Sequence, residues 1–176
     1  MTSAPNHGSE AVTAILQRLA LLGVVPHGAT DDSRQVRPGD LFLACAGDSV
    51  DGRQFIADAI ARGAEAVLWE TCDDRADVFS WRGDWRVPAV PVSGLRRLRG
   101  PLAHAVHGRP SERLSLIAVT GTNGKTSVTQ WIGATHPRSC AIIGTLGAGL
   151  PGRLADTGFT TPEATNLARC LSLIHI

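Results

Sequence analysis

The stretch LSLIAVTGTNGKTSVTQWIG, Leu114 to Gly133, constrains the fold more than any other part of the chain. An apolar run that reads as a strand leads into a glycine loop, then Gly-Lys-Thr-Ser, then a helical pattern. Lys125 is the only lysine in 176 residues; every other Lys/Arg cation is an arginine. Gly121 and Gly124 let the backbone turn tightly, so that successive N–H groups point at phosphate oxygens. The helix that follows adds its unpaired N-terminal amides and the positive end of its dipole. A compact ammonium suits terminal phosphates where arginine's planar fork does not, and the Thr126 hydroxyl can reach a Mg²⁺ ion. The loop is shorter than G-x-x-x-x-G-K-[ST], whose first glycine position is Val119 here. The plain alternative is an ordinary glycine turn carrying a solvated lysine. Strand, loop, lysine, hydroxyl and helix agree with one another, which favours phosphate binding.

The remainder of the chain alternates helical and strand patterns. SEAVTAILQRLALLGV places Val12, Ile15, Leu16, Leu19 and Leu22 at helical spacing, with Ser9 as cap and Gly23 as stop. GDLFLACAG reads as a strand. DGRQFIADAIARGAEAVLWE reads as a helix ended by Gly63, then the strand AVLW. VPAVPV is a further strand, and from Ser93 a helix carries Leu95, Leu98, Leu102 and Val106. Gly100-Pro101 should kink or split it. HGRPSER, His107 to Arg113, reads as a linker. After it come the strand LSLIAV, the helix KTSVTQWIGA ended by Pro137, and the strand CAIIGTL. This alternation predicts an α/β fold with a mainly parallel sheet, at least in the second unit.

Bulk properties exclude several classes. A chain of this length buries roughly 70% of its unfolded surface and needs no external staple. Hydrophobic residues at 43% and a net charge of +1 describe a globular protein without the basic excess that non-specific nucleic-acid binding needs. Cys45, Cys72, Cys140 and Cys170 form no CxxC or Cys/His cluster, and the six histidines show no metal-ligand spacing. No signal peptide or membrane span is visible, so the expectation is a cytoplasmic protein with no nucleic-acid or membrane partner.

VTGTNGKTS is similar to the ATP loop of the Mur ligase superfamily, which includes the folylpolyglutamate and cyanophycin synthetases. DDSRQVRPGDLFLACAGDSVDGRQFIADAIARGAEAVLWE, Asp31 to Glu70, resembles the N-terminal domain of the members that add the third or fourth element of the peptidoglycan stem peptide. IIGTLGAGLPGR followed by FTTPEATNLA resembles the members that add the third residue. The resemblance spans nearly all of residues 10 to 170. It implies an N-terminal UDP-substrate-binding domain over 1–108 and the beginning of a central P-loop ATPase-like domain with a parallel sheet over 109–176. It implies a ligase that uses ATP and Mg²⁺ to activate UDP-N-acetylmuramoyl-L-alanyl-D-glutamate as an acyl phosphate. The amine of a diamino acid, by family base rate meso-2,6-diaminopimelate, then attacks. A monomer is the family default.

Residue by residue, the resemblance places Gly121, Thr122, Asn123, Gly124, Lys125, Thr126 and Ser127 at the ATP phosphates. Lys125 is the catalytic cation and Thr126 lies near Mg²⁺. Ser33 matches a contact to the UDP part of the substrate, and Asp48, Ser49 and Val50 match the loop lining the same site. Thr160 and Thr161 match the pair that holds the muramoyl-dipeptide. Each has a structural alternative. Ser33 could cap a turn, Asp48 to Val50 could be an exposed loop, and Thr161 before Pro162 is a good helix start. Asp51-Gly52 fits a turn better than a ligand contact, Arg96, Arg97 and Arg99 fit a solvated helix face, and Trp81 and Trp85 fit packing.

The resemblance also has limits. Family members are longer, with a carboxylated lysine, further Mg²⁺ ligands and a third domain that shapes the amino-acid pocket. After TTPEATNLARC the chain closes in LSLIHI, which reads as a truncation and implies that these residues alone do not complete catalysis. GATHPRSCA is about one helical turn shorter than the pattern. The competing readings are another amide ligase of the same superfamily and a non-catalytic module that captures a UDP-sugar.

Overall fold

The computed structural model describes residues 7–47, 50–71, 79–157 and 162–174. They divide into two compact units, Met1–Gly108 and Arg109–Ile176.

The first unit is built on four parallel strands in the order β1-β2-β3-β4: Gly28–Thr30, Asp40–Ala44, Ala66–Thr71 and Ala89–Ser93. The run Leu41 to Ala44 is buried throughout, as are Ala66 to Leu68, because helices or loops cover both faces of the sheet. Register aligns Phe42 with Val67 and Leu43 with Leu68. Phe42, Ala44 and Val67 share one core with Ile56 and Ala59 of helix α2, Ile56–Ala61. Leu41, Leu43 and Leu68 alternate to the opposite face. Helices α1 (His7–Leu21) and α3 (Leu95–Val106) pack together there, and α3 lies against β1 and β3.

The crossover from β3 to β4 carries no helix among its described residues. Its aromatic side chains cover the α2 face instead: Phe79 lies 5.0 Å from Trp69, and Trp81 meets Trp85 edge-on at 4.8 Å. Trp81 and Trp85 are therefore packing residues. Pro91 is tolerated because β4 is an edge strand.

Helix α1 ends as its sequence dictates. Val24 N–H reaches Leu19 O and Gly23 N–H reaches Ala20 O, with Gly23 left-handed. Gly100-Pro101 does not split the helix: α3 runs through Pro101. Proline clashes chiefly with the Cβ of the preceding residue and with one carbonyl. Gly100 has no Cβ, and buried Leu95, Leu102 and Ala103 anchor the helix on both sides.

In the second unit, helix α4 (Lys125–Thr135) is followed by β5 (Ile142–Gly144), β6 (Gly147–Leu150) and β7 (Arg153–Ala155), then α5 (Ala164–Ile174). The α/β class stands, but the parallel sheet lies in the first unit. In the second, β5, β6 and β7 form an antiparallel meander. Pro151-Gly152 makes the tight turn between β6 and β7 that forces this pairing. The segment Leu114–Val119, expected as a strand, pairs with no strand among the described residues, and Leu116 and Ile117 are exposed. A strand needs a neighbour for its backbone groups, and its sequence alone does not supply one.

Candidate functional site: a glycine loop and the carboxyl edge of a parallel sheet

Two groups of residues carry the chemistry, one in each unit. In the second unit, Gly121 to Gly124 form bends that lead directly into α4. Gly121 has φ +142° and Gly124 φ +78°. Both values lie where a side chain would be strained, which explains the glycines. Gly124 is the left-handed N-cap residue, and no side chain caps the helix. The amides of the first turn, Lys125 to Ser127, thus have no intrahelical acceptor and face outward with the positive end of the dipole.

Lys125 opens the helix. Its Nζ turns back over the loop and donates to Gly121 O at 2.6 Å and to Thr122 O at 3.3 Å. The ammonium therefore sits over the same loop whose amides would hold an anion. Thr129 Oγ1 donates to the Lys125 and Thr126 carbonyls at 3.0 and 2.9 Å, which tightens the first turn. The loop is exposed and Thr126 is half-buried. Beside it lies a cavity of about 650 Å³, bordered by Lys125, Thr126, Ile117, Ile132, Ile142 and Leu171. Arg113, His136 and Arg138 line it too, beside the hydrocarbon side chains. The backbone amides that suit an anion belong to the loop.

In the first unit the polar residues collect where strands β1, β2 and β3 end, the usual ligand edge of an open parallel sheet. Ser33 is buried and begins a 3₁₀ turn, Ser33–Gln35. Asp32, not Ser33, is the cap: its Oδ1 accepts from Arg34 N–H at 3.0 Å and from Arg34 Nε at 2.9 Å. Hydrogen bonding by the Arg34 guanidinium holds the Asp32 carboxyl below the usual carboxylate range, against a smaller opposing effect of burial. Arg99 is only partly a solvated residue, since it pairs with Asp31 at 2.9 Å; Arg96 and Arg97 are exposed. Burial, with help from Glu70 and Asp31, pushes the nearby Cys45 thiol up to about 12.

Of the residues matched to the UDP-sugar site, Ser33 lies on this edge and Val50 is exposed beside the turn that follows β2. Asp48, Ser49, Thr160 and Thr161 lie outside the described residues. The sequence reading missed Glu70 and Arg53. Glu70 Oε2 accepts from Ala46 N–H at 2.9 Å and Oε1 from Arg96 N–H at 3.3 Å. Arg53 is buried and grips Asp51 at 2.6 Å. The available signal was a charge closing an apolar strand, ETC after AVLW, and an arginine two residues after an aspartate. Among the described residues no group of three or more His, Cys, Asp or Glu is placed to hold a metal ion. None of their helices is long and apolar enough to cross a membrane.

Comparison with known proteins places these features in context. Residues 26–107 match a family model described as Mur ligase family, catalytic domain, and residues 119–175 match the Mur ligase middle domain. The chain is similar to the UDP-N-acetylmuramoyl-L-alanyl-D-glutamate--2,6-diaminopimelate ligase of Nitrosomonas europaea, 41% identical over 174 residues, covering 97% of this chain and 32% of that protein. It is 49% identical over 137 residues to the ligase of that name from Pseudomonas putida, covering 76% of this chain and 27% of that protein. A solved structure of a UDP-N-acetylmuramoyl-L-alanyl-D-glutamate--2,6-diaminopimelate ligase superposes with a TM-score of 0.59 at 27% identity, covering 85% of this chain and 29% of the other. The chain thus spans about a third of the length of these relatives.

Proposed function

The chain belongs to the Mur ligase family, and from that premise we propose that it supplies the nucleotide loop and the UDP-substrate domain of an ATP-dependent ligase of peptidoglycan precursor synthesis. The acceptor is UDP-N-acetylmuramoyl-L-alanyl-D-glutamate and the amine donor meso-2,6-diaminopimelate; the relatives are named for that acceptor and for 2,6-diaminopimelate. The observation that carries this reading is the loop from Gly121 to Ser127, with Lys125 turned over it at the head of α4.

The residues present fit a triphosphate. Outward amides, a left-handed glycine and a single ammonium suit an anion. When ATP binds, Lys125 exchanges its two loop carbonyls for phosphate oxygens. Its charge then stabilises the γ-phosphoryl group as the substrate carboxylate oxygen bonds to phosphorus and the bond to the ADP oxygen breaks. The diamino acid's nitrogen attacks the resulting acyl carbon, phosphate leaves with the electron pair, and the nitrogen loses a proton. Magnesium, when bound, would supply charge neutralisation at the phosphates, and the half-buried Thr126 hydroxyl would hold it.

In the first unit, Ser33 at the carboxyl edge receives the UDP portion together with Asp48, Ser49 and Val50. Thr160 and Thr161 hold the muramoyl-dipeptide, and the cytoplasm is where such a substrate is made. Isothermal titration of the chain with ATP·Mg²⁺ and, separately, with the UDP-muramoyl-dipeptide tests the reading. Both are expected to bind, and Lys125→Ala is expected to weaken ATP at least tenfold while leaving the UDP ligand untouched. Undiminished ATP binding by the variant would remove Lys125 from the phosphate site.

A further inference from the structure

Glu70, the next-to-last residue of β3, is 8% exposed, although it is a carboxylate in an otherwise apolar strand segment. Its carboxylate is spent on two backbone amides from two different elements. Ala46, just past β2, donates at 2.9 Å, and Arg96, in the first turn of α3, donates at 3.3 Å. The Arg96 amide is one that α3 cannot satisfy internally, because Gly94 has no side chain to cap it.

The segment held at Ala46 is tied to Val50–Gly52 by three contacts among its described residues. Ala46 bridges Asp51, Gly47 N–H reaches Val50 O at 3.1 Å, and Gly52 N–H reaches Cys45 O at 2.8 Å. It is also tight. A Cβ on Gly47 would strike Val50 O, and one on Gly52 would lie 2.7 Å from Cys45 O. The far end of the turn is held through Asp51, which Arg53 Nε and Nη2 grip at 2.9 and 2.6 Å. Arg53 is 4% exposed, lies 5.1 Å from the Phe79 ring, and directs Nη1 to the Glu70 carbonyl at 3.4 Å. One residue thus meets both ends of the turn, through its carboxylate at Ala46 and through its carbonyl and Arg53 at Asp51.

We propose that Glu70 is the positioning residue of the UDP-sugar site: it fixes Cys45–Gly47 and Val50–Gly52, the described residues that follow β2, relative to α3 and so presents Val50 to the substrate. This rests on the UDP-substrate reading of the first unit. It explains why a carboxylate is buried there, and why arginine is the residue beneath the turn. A lysine could not span both Asp51 oxygens while reaching a third acceptor.

The test uses the 176-residue chain and Glu70→Gln, which keeps the shape but turns an amide NH₂ toward one of the two donors. Arg53→Lys is the second variant. Hydrogen exchange at the Ala46 and Arg96 amides reports the clamp without ligand. Titration with UDP-N-acetylmuramoyl-L-alanyl-D-glutamate reports its consequence, and titration with ATP·Mg²⁺ serves as the control in the other unit. In Glu70→Gln, protection of one of the two amides is expected to fall about tenfold and UDP-ligand affinity about tenfold, with ATP affinity unchanged. Arg53→Lys should lower the same affinity while the Arg96 amide stays protected. Lost amide protection with unchanged UDP-ligand affinity overturns the positioning role and leaves the substrate reading intact. Parallel losses for ATP and the UDP ligand overturn it as a general folding defect. Failure of the unmodified chain to bind the UDP ligand overturns the substrate reading, and the positioning role with it.

Discussion

Lys125 can be exchanged for arginine without altering the charge, so Lys125→Arg separates charge from shape. The lysine reaches Gly121 O at 2.6 Å across four residues of its own loop, a space sized for an ammonium. A guanidinium brings a planar fork that cannot occupy it without moving the loop. ATP affinity is expected to fall about tenfold or more, read by titration, with no change in melting temperature because the side chain is exposed. An arginine variant that binds ATP normally would mean the loop reads charge alone. Cys45 gives a second prediction at this scale. Its thiol is held protonated up to about 12 against an ordinary value of 9.0. Above the ordinary value the unfolded chain loses this proton while the folded chain keeps it, so stability falls as pH rises toward 12. Cys45→Ala should flatten the fall in melting temperature between about pH 9 and 11, and the thiol should resist iodoacetamide at pH 8 in the folded chain.

At the scale of elements, what the sequence made legible depended on whether the deciding contact was local. The ends of α1 and α2 could be read because Gly23 and Gly63 close them through bonds within a few residues. The glycine loop was legible for the same reason. Glu70 was not, because its partners Ala46 and Arg96 stand 24 and 26 residues away. No split occurs at Pro101 because the preceding glycine relieves the clash that usually enforces one. Pro101→Ala should therefore stabilise the first unit by about 1 kcal/mol, restoring one helical hydrogen bond while loosening the unfolded chain. Chemical denaturation measures this, and a destabilised variant would show that the proline ring packs usefully. The segment Leu114–Val119 had every mark of a strand, yet sequence cannot say which partner completes it. Its Leu116 and Ile117 are 57% and 60% exposed. Its amides should exchange with solvent far faster than those of β2 and β3. Protection equal to theirs would show that the segment finds a partner in solution.

Across the whole molecule, the distribution of large buried side chains is uneven. Phe42, Leu41, Leu43, Ile56 and Leu68 are all fully buried in the first unit, between two covered faces of a parallel sheet. Among its described residues the second unit buries smaller or fewer apolar side chains, Ile142, Ala168 and Leu171 beside Pro110, and α4 buries none. Hydrophobic stabilisation scales with area removed from water, so the two units should differ in stability. The tryptophans make this measurable. Trp69, Trp81 and Trp85 form a ring cluster with Phe79 in the first unit, whereas Trp131 in the second is 68% exposed. Near-ultraviolet circular dichroism therefore reports the first unit, and the far-ultraviolet signal reports both. On heating, part of the far-ultraviolet signal is expected to vanish before the near-ultraviolet signal moves. Phe42→Ala removes a ring from the centre of the first core and should destabilise it by about 3–5 kcal/mol. That change should lower the near-ultraviolet transition alone, and Leu171→Ala should lower only the earlier one. If both probes melt together in the unmodified chain and in each variant, the units unfold as one cooperative body, and the division of the core has no energetic meaning.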